Sequence, residues 1–94
     1  GPMKYIDVEW HHQSNDEPIR LVSEINGSRF EVRKLEYFRD GRVAHAPNAC
    51  GGSAMLGEGA VPQLAEINSD PQFVAVEITG EQFEALWLSA VDAP

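Results

Sequence analysis

Alternating apolar and polar side chains open the chain. Ile6, Val8 and Trp10 are separated from one another by single charged residues. A period of two is typical of a β-strand with one face buried. The pattern therefore predicts a first strand that spans residues 5–11.

A second strand and a turn follow a polar stretch that is rich in turn-forming residues. Ile19, Leu21 and Ile25 recur at even spacing and predict a strand with these side chains on one face. Asn26-Gly27 comes directly after it. This dipeptide favours a type I′ hairpin turn, in which both central residues have positive φ.

The third predicted strand, residues 29–39, changes its pattern midway. Phe30 and Val32 share one parity, whereas Leu35 takes the other. An extra residue in a strand turns the following side chains over. We therefore expect a β-bulge at Arg33-Lys34, unless both faces of this strand are partly covered.

A second tight turn at Asp40-Gly41 leads into a return strand over residues 42–46. Two hairpins in succession predict an antiparallel meander. Residues 47–59 are rich in Gly and Ala and indicate an irregular loop.

A short helix and a further strand are predicted after this loop. The helix runs from Val61 to Ser69, with Pro62 in its first turn and with Leu64 and Ile67 facing inward. Residues 73–78 are apolar and predict a fifth strand at an edge of the sheet.

The C-terminal residues 79–91 carry the clearest helical pattern. Thr79 and Gln82 have the spacing of a capping box. One apolar stripe follows at helical spacing, and its members are Phe83, Leu86, Trp87 and Ala90. The fold class is thus α+β: an antiparallel meander of four to five strands, a C-terminal helix packed on one face and a short helix near residues 61–69. We expect Trp10, Phe83 and Trp87 to be substantially buried.

The charge of the chain is unevenly distributed. Its 94 residues have a net charge of −8, and all seven Lys and Arg side chains lie at or before Arg42. The later part holds the acids Glu58, Glu66, Asp70, Glu77, Glu81, Glu84 and Asp92. Such a field repels nucleic acid and anionic lipid and attracts a basic partner.

The length indicates one domain, residues 3–94, after a Gly1-Pro2 scar of an expression tag. No apolar run is long enough for a membrane helix, and the strand pattern begins too early for a signal peptide. The single cysteine, Cys50, rules out an internal disulfide and suggests a reducing compartment. We therefore expect a cytoplasmic protein.

The candidate catalytic residues do not form a recognised motif. His11 and His12 point to opposite sides if they continue a strand, and neither His45 nor Cys50 has a ligand spacing typical of zinc. The Gly-rich segment ends in Glu58, where a phosphate-binding loop needs Lys. We expect no metal, no cofactor and no catalytic residues.

The cations between Arg29 and Arg42 are interleaved with aromatic side chains, as in some nucleic-acid-binding hairpins. However, Glu31, Glu36 and Asp40 lie among them. Cross-strand ion pairs are the simpler interpretation, and we expect no nucleic-acid binding.

The string FEVRKLEYFRDGRVAHA resembles a small bacterial domain family that has no assigned function. So do the upstream WHH and DEPIRLVSEI and the downstream P-x-L-x-E-I-x-x-D-P-x-F and FEALW. The similarity covers nearly all of residues 4–89. Members of the family look like neighbours of secreted polymorphic toxins, and the resemblance therefore implies an immunity protein. It supplies no catalytic residues.

Three functional hypotheses remain open. The first is a non-enzymatic immunity or inhibitor protein that neutralises a bacterial toxin, such as a nuclease, through an acidic surface. Its candidate partner-binding residues are Glu58, Glu66, Glu84 and Asp70. The second is a module that binds a small molecule or a peptide, with a pocket under residues 51–59. The third is a small enzyme that uses His11, His12, His45 or Cys50.

Overall fold

The strands that the alternation predicts pair into one sheet. The computed structural model describes residues 2–48 and 54–92. Within them lie the strands β1 (Lys4–Trp10), β2 (Arg20–Ile25), β3 (Glu31–Tyr37), β4 (Val43–Ala46) and β5 (Phe73–Ile78). Every neighbouring pair is antiparallel, and the order across the sheet is β4-β3-β2-β1-β5. The meander is confirmed, and β5 lies at an edge as predicted.

The β2–β3 hairpin and the β3–β4 hairpin each contain a residue with positive φ. Only in the β3–β4 hairpin does this residue lie in the turn that the sequence predicts. Gly41 has a φ of 95°, and its amide donates to the carbonyl of Phe38 over 3.0 Å. The predicted type I′ turn at Asn26-Gly27 is wrong. The positive φ of 67° falls instead on Arg29, whose amide donates to the Asn26 carbonyl over 2.9 Å. This hairpin closes by a type I turn with a left-handed residue after it.

The bulge in β3 is real, but it lies closer to the start of the strand than predicted. Glu24 of β2 faces Arg33, whereas Ile25 faces Glu31. Val32 is therefore the extra residue, and the predicted position at Arg33-Lys34 is wrong. The bulge places Arg33 on the same face as Glu24, and this pairing matters for the site described below.

Two helices cover opposite faces of the sheet. They are α1 (Leu64–Asn68) and α2 (Gly80–Val91). Helix α1 packs on Ile6 and Val8 of β1, whereas α2 packs beside Tyr5, the neighbour of Ile6. Because successive strand residues point to opposite faces, the sheet lies between the two helices. Helix α1 is shorter than the predicted span 61–69.

The inward-facing residues of both helices were predicted correctly. Leu64 and Ile67 pack against the cluster of Ile6, Val8 and Ala75. On α2, the capping box forms: Gln82 donates its amide to the Thr79 hydroxyl over 3.0 Å and accepts the Thr79 amide over 2.9 Å. Both helices are thus fixed by contacts that can be traced to the sequence pattern.

The three aromatic residues predicted to be buried differ in exposure. Phe83 is 0% exposed and packs with Val22 and Leu35. Trp10 and Trp87 are only half-buried. Trp87 packs edge-on against His45 of the edge strand β4, with ring centroids 5.3 Å apart. A side chain placed over an edge strand keeps one side open to solvent.

Candidate binding groove

The candidate catalytic histidines lie on different parts of the fold. His45 is in β4, three strands from β1, which is about 14 Å across the sheet, and it is in register with Asp7, so His11 and His12 lie farther along the strand direction as well. His11 is exposed, and its Nε2 lies 3.3 Å from a Glu9 carboxylate oxygen. Cys50 lies outside the described residues.

His12 has both ring nitrogens engaged by the backbone. The amide of Ser14 donates to Nδ1 over 3.0 Å, so Nε2 carries the proton and donates to the Pro18 carbonyl over 2.8 Å. His11 and His12 both line an open cleft of about 720 Å³. In this cleft, His12 holds the loop before β2 and has no nitrogen left for proton transfer.

No group of three or more His, Cys, Asp or Glu side chains within residues 2–48 and 54–92 is arranged to hold a metal ion. In the same part of the chain, the helices are too short or too polar to span a bilayer.

The cations of the β2–β4 region are largely neutralised by bonds within the domain. Lys34 Nζ lies 3.3 Å from Glu36 and 3.6 Å from Glu31, and Arg42 Nε lies 3.0 Å from Asp40. The predicted cross-strand pairing occurs between Arg33 and Glu24, as described next. Arg33, Lys34 and Arg42 thus pair with carboxylates, whereas Arg29 and Arg39 donate to backbone carbonyls.

A buried carboxylate forms the centre of the charge network under α2. Glu24 is 6% exposed and accepts two hydrogen bonds from Arg33, 2.6 Å to Nε and 3.1 Å to Nη2. The guanidinium of Arg33 also lies over the rings of Phe83 and Trp87, 4.8 and 5.0 Å from their centroids. Burial and the nearby Glu24 carboxylate raise the pKa of Tyr5, which faces Glu24 across the strands.

Glu84, one of the predicted partner-binding residues, belongs to this network. Its carboxylate accepts hydrogen bonds from Nη1 and Nη2 of Arg33. The guanidinium lowers the pKa of Glu84, although the side chain is 48% exposed. The charge of Glu84 is therefore compensated, and it lies on the α2 face of the sheet.

The other three predicted acids lie on or near the α1 face. Glu58, Glu66 and Asp70 are all exposed, and none of them makes an ion pair with another described residue. Glu66 and Asp70 line one groove, and Glu58 follows Gly57, whose amide donates to a groove residue, Glu31, over 2.6 Å. These three carboxylates therefore add unpaired negative charge to the α1 side of the molecule.

This groove lies between α1, the segment before it and the sheet, and its volume is about 370 Å³. Its lining is mainly apolar, with polar groups at the rim. The lining residues are Ile6, Val8, Leu21, Ser23, Glu31, Val61, Pro62, Glu66, Ile67, Asp70 and Phe73. The volume is near the lower end of the roughly 300–1,000 Å³ typical of small-molecule sites.

Arg29 holds one wall of the groove in place. Its Nε donates to the Val61 carbonyl and its Nη2 to the Pro62 carbonyl, each over 2.7 Å. The Val61 amide returns a bond to the Arg29 carbonyl, also over 2.7 Å. A non-glycine residue with positive φ is costly in conformational energy, and these three bonds account for an arginine at this position.

A pocket under residues 51–59 was the feature expected to favour a ligand-binding module, whereas the groove is lined from this side of the chain by residues between Val61 and Asp70. Residues 49–53 lie outside the described part of the chain. The apolar residues of the groove were missed because each one has an ordinary place in a strand or helix pattern. The available signal was that Val61 and Ile67 must meet the same strand face as Ile6 and Val8.

A family model described as a domain of unknown function, DUF6881, matches residues 4–92. The chain therefore belongs to this family, in agreement with the resemblance to a family without an assigned function. No match was found among curated proteins or among solved structures.

Proposed function

We propose that this member of the DUF6881 family is a non-enzymatic protein-binding domain, and specifically an immunity protein that neutralises a bacterial toxin in the cytoplasm. The observation that carries the proposal is the set of exposed, uncompensated carboxylates of Glu58, Glu66 and Asp70. A basic toxin domain that acts on nucleic acid has a complementary surface. Opposite potentials steer association and raise its rate.

The charge pairing within the domain supports the same function. Arg20, Arg33, Lys34 and Arg42 each lie within bonding distance of a carboxylate. Four of the seven Lys and Arg side chains are thus paired with carboxylates of the domain, which reduces the positive charge that they offer to phosphate groups. We therefore expect no binding to free DNA or RNA at about 0.15 M salt.

A test uses the protein encoded by the neighbouring gene as the partner. Co-expression of wild-type domain should restore growth to cells that produce this protein. The triple variant Glu58→Lys, Glu66→Lys, Asp70→Lys should fail to restore growth, and its association rate should fall at least tenfold at low salt. The dissociation rate should change much less, because steering acts on encounter.

The matched control reverses three exposed acids away from the groove, Asp16→Lys, Glu17→Lys and Glu81→Lys, with the same change in net charge. This control should keep growth rescue. Equal loss in both triple variants would show that only net charge matters and would contradict an acidic binding surface. Low-micromolar binding of random RNA by the wild-type domain at about 0.15 M salt would overturn the proposal.

The groove itself favours a second candidate function, a module that binds a small molecule or a peptide. Its apolar lining and its volume of about 370 Å³ allow a few side chains or a small ligand. A ligand-binding module would keep its affinity for the ligand in the triple variant if the ligand is uncharged. Failure of the wild-type domain to restore growth, together with ligand binding that the triple variant retains, would favour this second function.

A further inference from the structure

We infer that the groove binds one Arg or Lys side chain, together with its apolar neighbours, from an extended segment of the basic partner. The inference rests on the proposed protein-binding function and assigns it a specific anchor site. Two independent features of the groove carry the inference: its apolar lining and the unpaired carboxylates at its rim.

The carboxylates of the groove differ in what they are free to bind. Glu31 is already occupied: Oε1 accepts the Gly57 amide over 2.6 Å, and Oε2 accepts the Ser23 hydroxyl over 3.1 Å. Its charge is further compensated by Lys34, with Nζ 3.6 Å from Oε1. Glu31 therefore holds the chain at Gly57 and is not the receptor for an incoming cation.

Glu66 and Asp70 are the free acceptors. Asp70 uses Oδ1 for the amide of Gln72, over 2.9 Å, and its Oδ2 accepts no hydrogen bond from residues 2–48 and 54–92. Neither side chain makes an ion pair with a described residue. A guanidinium or ammonium group placed between them gains charge-assisted hydrogen bonds to both.

The apolar lining favours a cationic group that is attached to a hydrocarbon chain. Leu21, Val61 and Phe73 present hydrocarbon beside the two carboxylates. Arg and Lys side chains combine a hydrocarbon stem with a charged end, and the stem packs on apolar surface while the end stays near the rim. An apolar ligand leaves the carboxylates without a partner, and an anion is repelled by them.

The wall next to Val61 and Pro62 is preformed. The three bonds at Arg29 fix this segment before any ligand arrives. A site that is already ordered loses less conformational entropy on binding. One anchoring side chain in such a site is therefore sufficient for measurable, weak binding by a short peptide.

The test uses two peptides, acetyl-Ala-Val-Arg-Val-Ala-amide and the same peptide with citrulline in place of Arg. Citrulline has nearly the shape of Arg without its charge. Titration of the ¹⁵N-labelled domain, followed by amide chemical shifts, should give shifts concentrated at Ile67, Asp70 and Phe73. We expect millimolar affinity for the Arg peptide and at least fivefold weaker binding of the citrulline peptide.

The variant Glu66→Gln, Asp70→Asn should weaken binding of the Arg peptide at least fivefold. Its thermal unfolding temperature should be no lower than that of the wild-type domain, because both side chains are exposed and unpaired. The matched control Glu17→Gln, Glu81→Gln should bind as the wild-type domain does. Shifts outside the groove, equal affinity for both peptides or no binding would each overturn the inference.

A groove-blocking variant separates this inference from the proposed function. Pro62 is exposed and lines the groove, so Pro62→Trp places a large ring there without changing the charge. Loss of both peptide binding and growth rescue supports the anchor site. Growth rescue that survives in Pro62→Trp leaves the immunity function standing and refutes the groove as its anchor. Peptide binding without growth rescue by the wild-type domain refutes the immunity function alone.

Discussion

Replacement of Arg33 by methionine should destabilise the domain through the carboxylate that it leaves behind. Glu24 is 6% exposed and is bonded by Arg33 through both of its oxygens. Methionine fills part of the space over Phe83 and Trp87, but it donates no hydrogen bond. The Arg33→Met variant therefore keeps much of the packing and leaves a buried carboxylate without its cation.

The size of the effect follows from burial. Removal of one member of a fully buried ion pair costs about 3–5 kcal/mol. The Arg33 side chain is 21% exposed, so water can partly replace it at Glu24. We therefore expect a loss of about 2–4 kcal/mol in the free energy of unfolding. Since a domain of this size has a total stability of about 5–15 kcal/mol, the variant should remain folded but marginal.

Urea denaturation followed by far-ultraviolet circular dichroism measures this free energy for four proteins: the wild type, Arg33→Met, Glu24→Leu and the double variant. The double variant lacks both members of this ion pair, and it should be more stable than Arg33→Met alone by at least about 1 kcal/mol. The effect of the double variant should differ from the sum of the two single effects by a coupling energy of about 0.5–3 kcal/mol, the range seen for contacting residues. Additive single effects, or a change below about 0.5 kcal/mol in Arg33→Met, the level typical of ordinary surface substitutions, would refute the reasoning.

Two further predictions concern the free edge of the sheet and the response to acid. The Asn68 side chain donates to the Ala75 carbonyl over 2.9 Å and accepts the Ala75 amide over 2.6 Å, so it occupies the outer edge of β5. Asn68→Ala should lower the free energy of unfolding by about 1–3 kcal/mol, because the Ala75 backbone groups lose their partners. The exposed strand edge should also cause concentration-dependent association, which light scattering measures. A monodisperse variant with wild-type stability would show that Asn68 does not protect this edge. In the folded domain, Arg33 lowers the pKa of Glu84 below its ordinary value of 4.5. The ion pair therefore stabilises the fold above pH 4.5, and this stabilisation is lost as the pH falls through the lowered pKa of the folded state. The difference in unfolding temperature between the wild type and Glu84→Gln should therefore narrow below pH 4.5, and an unchanged difference would contradict this role of the ion pair.

Strand positions could be predicted because they depend on local alternation, whereas turn geometry depended on a distant contact. Asn26-Gly27 satisfies the local requirement of a type I′ turn, yet the left-handed residue is Arg29. The side chain of Arg29 reaches the carbonyls of Val61 and Pro62, which are remote in sequence. A prediction from the turn residues alone does not include this contact, and the hydrogen bonds to Val61 and Pro62 determine which residue has positive φ.

Charge alone could not show which acids are available to a partner. Glu66 and Glu84 look equivalent in the sequence, since each is an acid on a helix in the basic-poor part of the chain. The fold brings Arg33 to Glu84 and brings no cation to Glu66 among the described residues. The bulge at Val32 contributes to this outcome because it sets which face Arg33 occupies.

The spacing of Glu66 and Asp70 suggests what a bound cation would do to stability. Glu66 lies in α1, and Asp70 follows two residues after the last residue of the helix, Asn68, so two like charges lie close together in the chain and repel each other weakly. Nothing in the described fold offsets this repulsion with an ion pair. A guanidinium held between the two carboxylates removes it, so the Arg peptide should raise the unfolding temperature of the wild-type domain more than that of Glu66→Gln, Asp70→Asn. Glu66→Gln, Asp70→Asn should thus slightly raise the unfolding temperature of the domain without peptide and should weaken binding of the Arg peptide. A purely structural role for these two residues would not produce both effects.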